Sequence, residues 1–183
     1  MVTYNETANI SLKLSKKFTD SVVYNVECNG GLIVNEKQKF CNIRFVEPRD
    51  LNSKQNLFGG TLLTWFDLDT AACVYQYMTE YHKATTVSVL NFTFKKPANL
   101  GDRIKSYVYP VHLSKSTITM KAVFEKTNGL EWEYFAHGYV TLCCIEENGK
   151  SIPLPTMKVD IDELKSSSEW EIVEKYKELA RKS

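Results

Sequence analysis

The stretch Phe58-Gly59-Gly60-Thr61-Leu62-Leu63-Thr64-Trp65-Phe66-Asp67 decides the reading of this chain. Two glycines open it, apolar residues follow, and a carboxylate sits about two turns further in. Wound at ~100° per residue, residues 62 to 78 place Leu62, Cys73, Phe66, Tyr77, Leu63, Val74 and Met78 on one broad arc. Asp67 falls inside that arc, between Val74 and Met78. Trp65, Leu68, Ala71 and Ala72 occupy the other faces, so a helix from about Gly60 to Tyr81 is expected to be buried on most sides. A charge in such a place costs free energy unless it is paired or used, which singles out Asp67. Asp69 falls beside Gln76 and Trp65 on the helix edge and reads as a solvated or interface charge.

Outward from this helix, the chain is rich in strands. Residues 41–47 read as a short strand, followed by a polar loop from Pro48 to Gln55. After the helix come segments 85–94, 103–114, 117–126 and 132–146, rich in Val, Thr, Tyr, Phe and Ile. Turn chemistry separates them: Lys96-Pro97 through Gly101-Asp102, Ser114-Lys115-Ser116 and Asn128-Gly129, with Asn148-Gly149 after the last. Such short connections join antiparallel neighbours, and no second helix intervenes to build a parallel sheet. The expected class is α+β: one long central helix wrapped by a five- to six-stranded antiparallel sheet, plus a C-terminal helix. That last helix opens on the capping-box pattern Ser168-Glu169-Trp170-Glu171 and carries Trp170, Val173, Tyr176, Leu179 and Ala180 as its apolar stripe. The division read from the pattern is an N-terminal extension over 1–40, with a hairpin around Asn29-Gly30-Gly31, a core domain over 41–158 and a C-terminal helical extension over 159–183.

Composition narrows the function classes. The chain has 183 residues, 43% hydrophobic and 25% charged, with a net charge of +1, which gives no reason to expect nucleic acid or an anionic membrane as partner. No apolar run approaches ~18 residues, so no membrane-spanning helix is expected. The N-terminal Met-Val-Thr-Tyr-Asn-Glu lacks the basic start and apolar segment of a secretory signal. Five cysteines (28, 41, 73, 143 and 144) show no metal-ligand spacing. Reduced thiols in the cytoplasm and no bound metal are the expectation.

Four landmarks now stand in order: Asn56-Leu57-Phe58-Gly59-Gly60 running to Asp67; Thr86-Val87-Ser88-Val89 leading to Phe92, Pro97 and Gly101-Asp102; Ser114 to Thr119; and Glu147-Asn148-Gly149-Lys150-Ser151-Ile152-Pro153-Leu154-Pro155. Together they make residues 41 to 158 resemble the hotdog-fold acyl-coenzyme A thioesterases, of the bacterial YciA type and the eukaryotic cytosolic acyl-CoA hydrolases. The resemblance implies hydrolysis of an acyl-CoA to a carboxylic acid, typically fatty, and coenzyme A, with no cofactor beyond the coenzyme A of the substrate itself. It makes Asp67 the general base or nucleophile, the Gly60 backbone N–H the oxyanion donor, and Asn56 the group that orients water or polarises the carbonyl. Gly59 would let substrate approach the helix start, where unpaired N–H groups and the dipole favour negative charge. Lys95, Lys96, Lys115, Ser116 and Thr86 would lie near the phosphates and pantetheine, and Ser88 beside the acyl tunnel. It further implies a homodimer with sites at the interface, Asn56 of one subunit facing Asp67 of the other, and a trimer of dimers as in many relatives.

Plainer roles exist for each residue. Asp67 could be a structural acid satisfied by Thr64 or Thr70, Asn56 a simple helix cap, and the turn lysines solvated. His82, His112 and His137 have no nucleophile at motif spacing. The His-Phe-Pro signature of hotdog dehydratases is missing. A non-catalytic acyl-CoA sensor is the alternative reading; it would keep the pocket without a competent carboxylate.

Overall fold

In the computed structural model, the structure describes residues 40–80 and 82–182. The hairpin expected around Asn29 and the boundary of the N-terminal extension lie outside the described residues. Five strands form one antiparallel sheet: β1 (Phe40–Phe45), β2 (Lys83–Phe94), β3 (Arg103–Leu113), β4 (Thr117–Thr127) and β5 (Glu133–Ile145), in the order β1-β3-β4-β5-β2. The long helix α1 (Gly59–Tyr77) lies across one face of the sheet, and a short helix, α2 (Ile161–Lys165), and α3 (Ser168–Lys182) follow the last strand. This is the α+β hotdog arrangement, with five strands. Strand ends fall within about two residues of the pattern reading. Pro48–Asp50, expected as loop, is a turn of 3-10 helix.

The helix departs from expectation at its end and on its faces. It stops at Tyr77 because Met78 turns extended and bridges to Met157, while Thr79 N–H donates to the Thr156 carbonyl. Leu62, Phe66, Asp69, Thr70, Cys73, Val74 and Tyr77 form its buried face, a stripe at helical spacing. The buried acid is therefore Asp69, 1% exposed, and Asp67 is exposed. Both readings made from the pattern are reversed. Leu63, Leu68 and Tyr75 are also exposed apolar residues on α1. An all-round apolar helix does not reveal which arc meets its own sheet.

Asp69 is held from two strands. Arg44 of β1 grips both its oxygens, Nη1 to Oδ2 at 2.7 Å and Nη2 to Oδ1 at 2.5 Å. Asn42 Nδ2 donates to Oδ1 at 3.1 Å, and Ser106 of β3 donates to Oδ2 at 2.6 Å. The Arg44 guanidinium also lies 5.5 Å from the Trp65 ring centre. Four donors satisfy the carboxylate, which is what burying it demands.

The face of the sheet turned away from α1 is covered by α3. Val173 is fully buried there, and the Asn91 amide donates to the Tyr176 hydroxyl at 2.9 Å. Ser167, one residue before the expected cap, receives the Trp170 N–H at 3.2 Å. Lys121 and Tyr139 both meet Glu169, and burial pushes the Tyr139 and Tyr109 phenols up. His112 stacks on Trp170 with ring centres 3.9 Å apart, with Glu174 at Nε2 and Lys177 Nζ 2.9 Å from Nδ1. The ammonium can only donate, so Nδ1 is the acceptor and Nε2 carries the proton toward Glu174.

Two predictions follow from this packing. Asp69→Ala leaves Arg44 facing an apolar gap and should cost about 3 kcal/mol of stability, whereas Asp67→Ala should cost under about 1 kcal/mol; chemical denaturation of both variants checks this. Burial, then Lys177, holds His112 below its ordinary pKa against the pull of Glu174. Its contribution to stability is thus complete above about pH 6.5 and is lost as pH falls, because the unfolded chain takes up a proton that folded His112 resists. His137, lowered by burial and then by Lys121 and Lys95, acts in the same direction. The melting temperature should fall between about pH 7 and pH 5.5, and His112→Phe should shrink that fall.

Candidate active site

Two half-sites flank α1. The first is at its N-terminus. Phe58 precedes the helix without a side-chain cap, so the first backbone N–H groups of the helix, at Gly59 and Gly60, have no intrahelical acceptor. Gly59 lines a cavity of about 340 Å³, together with Asn52, Asn56, Lys95 and Lys96 on its polar side and Leu57, Leu62, Phe94, Ala98 and Phe135 on its apolar side. A Cβ at Gly60 would stand 2.4 Å from the exposed Phe58 ring, which would have to swing aside. A Cβ at Gly59 would stand 3.4 Å from the Phe94 ring.

The loop that carries the asparagines is tightly specified. Asn52 Oδ1 accepts the N–H groups of Lys54 at 2.8 Å and Asn56 at 3.2 Å. The atom facing two N–H donors must be the oxygen, so Asn52 presents its amide NH2 to the surroundings. Gln55 between them adopts φ 61, a left-handed conformation uncommon outside glycine and frequent where function holds strain. The Asn56 amide donates instead to Asn99 Oδ1 at 2.9 Å. Asn52 was not singled out from the sequence, where it sits in a polar loop; its signal is its spacing to the N–H groups it collects.

The second half-site is the exposed carboxylate two turns along. Thr86 Oγ1 donates to Asp67 Oδ1 at 2.6 Å; Thr64 and Thr70 instead donate to backbone carbonyls. Thr86 pairs with Leu142 of the core and so points to the α1 side. The ladder slips just after it, between Thr86 and Ser88, and such a bulge re-aims neighbouring side chains. Ser88 pairs with Thr141, whose hydroxyl meets Thr119 on the face away from α1. Within this chain Ser88 therefore turns away from the cavity it was expected to line.

The expected phosphate ligands also divide. Lys95 and Lys96 follow β2 and line the cavity, with Lys96 paired to Glu133. Lys115 and Ser116 sit in the β3–β4 turn beside Cys143, which pairs with Thr85 near the start of β2. The two groups are separated by most of a twelve-residue strand, roughly 30 Å. One coenzyme A phosphate group cannot meet both within one chain. Among the described residues, no group of three His, Cys, Asp or Glu side chains could hold a metal ion.

Against this geometry, residues 54–133 match the family model of the thioesterase superfamily. That match places the likeness in the stretch that holds α1, β2, β3 and β4. The uncharacterised acyl-CoA thioester hydrolase YkhA of Bacillus subtilis is 28% identical over 120 residues, covering 64% of this chain and 69% of that protein. Among solved structures, an apo hexameric acyl-CoA thioesterase superposes with TM-score 0.69 at 23% identity, covering 80% of this chain and 93% of that one. An acyl-CoA hydrolase from Staphylococcus aureus, crystallised with butyryl coenzyme A, coenzyme A and coenzyme A disulfide, gives TM-score 0.66 at 20% identity, covering 79% and 87%. These two likenesses establish the hotdog fold.

Proposed function

We propose that the protein hydrolyses acyl-CoA thioesters, releasing a carboxylic acid and coenzyme A, at sites shared between two copies of the chain. The observation that carries this is the exposed Asp67 carboxylate, held by Thr86 on the same helix whose uncapped start opens on a cavity with an apolar side. Thr86 occupies Oδ1, so Oδ2 is the oxygen presented to substrate. As general base, Asp67 takes a proton from water while the water oxygen bonds to the thioester carbon. The negative charge that develops on the carbonyl oxygen is met by the Gly60 N–H and the Asn52 amide. Collapse breaks the carbon–sulfur bond, and the thiolate takes the proton that Asp67 held. As nucleophile, the carboxylate would attack the carbon itself and expel coenzyme A as its thiolate, leaving a mixed anhydride; water would then open the anhydride, regenerating the carboxylate and giving the thiolate its proton.

The donor here is Asn52 rather than Asn56, whose side chain is tied to Asn99 and whose backbone N–H orients Asn52. Spacing supports this. The Staphylococcus aureus hydrolase has been crystallised with alanine replacing an aspartate and, separately, an asparagine, fifteen residues apart. Asn52 and Asp67 are also fifteen apart, whereas Asn56 and Asp67 are eleven apart.

Two chains are needed because the cavity is not lined by Asp67 and Lys95 and Lys115 lie at opposite ends of β2. Exposed Leu63, Leu68 and Tyr75 on α1, with Val87 and Val89 on the free edge strand β2, form the surface on which a second copy docks. A homodimer then completes two equivalent sites, with Lys95 and Lys96 of one subunit and Lys115 and Ser116 of the other near the nucleotide. Three such dimers would match the hexamers among the relatives. Cys41, Cys73, Cys143 and Cys144 are thiols, in keeping with a reducing, cytoplasmic setting.

Release of free coenzyme A from acetyl- to palmitoyl-CoA tests the reading. Wild type should turn over at least one substrate. Asp67→Ala should lose about 10²- to 10⁴-fold in kcat and Asn52→Ala about 10²-fold, with coenzyme A binding kept. Saturable acyl-CoA binding without turnover on any substrate would make the protein a binder or sensor.

A further inference from the structure

On its apolar side the cavity at the start of α1 has one soft aromatic wall. Leu57, Leu62, Ala98 and Phe135 are buried and fixed in the core. Phe94, the last residue of β2, lines the same cavity and is 51% exposed. Its ring lies over Gly59 and leans on Phe92, with ring centres 4.8 Å apart. Behind it the layer is closed. Phe92 meets Phe66 edge-on at 5.0 Å and Phe124 at 6.1 Å, and its ring fills the place a side chain at Gly138 would take. Side chains packed this closely do not yield space without cost, so Phe94 is the wall with room to be moved.

We infer that this cavity takes the acyl chain and that the Phe94 ring sets the longest chain it accepts. The inference rests on the acyl-CoA reading of the site. At roughly 30 Å³ per water-sized group, 340 Å³ holds at most about ten non-hydrogen atoms, the thioester end included. The favoured substrates are therefore short- and medium-chain acyl-CoAs. Shortening residue 94 lengthens the space past the end of β2, and a larger ring shortens it.

Non-hydrolysable S-alkyl coenzyme A thioethers, from ethyl to hexadecyl, separate this proposal from the catalytic one, because they report binding whether or not the protein turns over. Titration calorimetry on the full chain should show affinity rising about fourfold per methylene and ceasing to rise near about ten carbons. In Phe94→Ala the break should move out by about two carbons or more, and in Phe94→Trp it should move inward, with unchanged far-ultraviolet circular dichroism in both. A break at the same length in all three proteins overturns the assignment, as does affinity in wild type that keeps rising to hexadecyl. Absence of turnover in the wild type would count against the hydrolase reading alone.

Discussion

The fork between Arg44 and Asp69 settles which way α1 faces. It binds the middle of the helix to β1, and Ser106 adds a tie to β3. With Asp69 fixed inward, Asp67 is carried two residues around the helix, about 160° away in projection if each residue turns by ~100°, into the open. A helix apolar on nearly every side could dock on its sheet in several rotations with similar burial. A buried carboxylate satisfied by four donors favours one, because any other rotation parts Asp69 from Arg44, Asn42 and Ser106. The exposure of Asp67, its reach to Thr86 and the placing of the glycines beside the cavity all descend from that single fit.

Much of the fold was legible because its signals are local. Branched and aromatic runs bounded by Asn-Gly, Ser-Lys-Ser and Pro-containing turns placed each strand to within about two residues. The helix start was equally plain from Gly59 and Gly60. Its end was not, since residues 78–80 suit a helix and stop being one only through pairing with residues 156 and 157. The site was less legible. Periodicity put Asp67 inside and Asp69 outside, the reverse of what occurs, because the apolar faces of α1 include one that its own sheet does not cover. Asn52 looked like any loop polar residue; its orientation is set by hydrogen bonds from Lys54 and Asn56 and by the unusual backbone of Gln55.

An uncovered apolar arc on α1 beside an edge strand with exposed valines gives the chain two unsatisfied surfaces, and the proposed site gives them a common purpose. Each chain offers a donor-lined cavity and, elsewhere, an exposed carboxylate held by Thr86, which the proposal reads as two halves of one reaction centre built on the same helix. Two-fold pairing brings unlike halves together twice.

Subunit mixing tests that account most directly. Asn52→Ala and Asp67→Ala, each inactive alone, are unfolded together, refolded as a mixture and assayed for coenzyme A release. If each site takes Asn52 from one chain and Asp67 from the other, half the dimers are mixed and each carries one intact site, so activity should return to about a quarter of wild type. Activity staying at the level of the separate variants, with mixed dimers present, would place both residues in a site made by one chain and contradict the account.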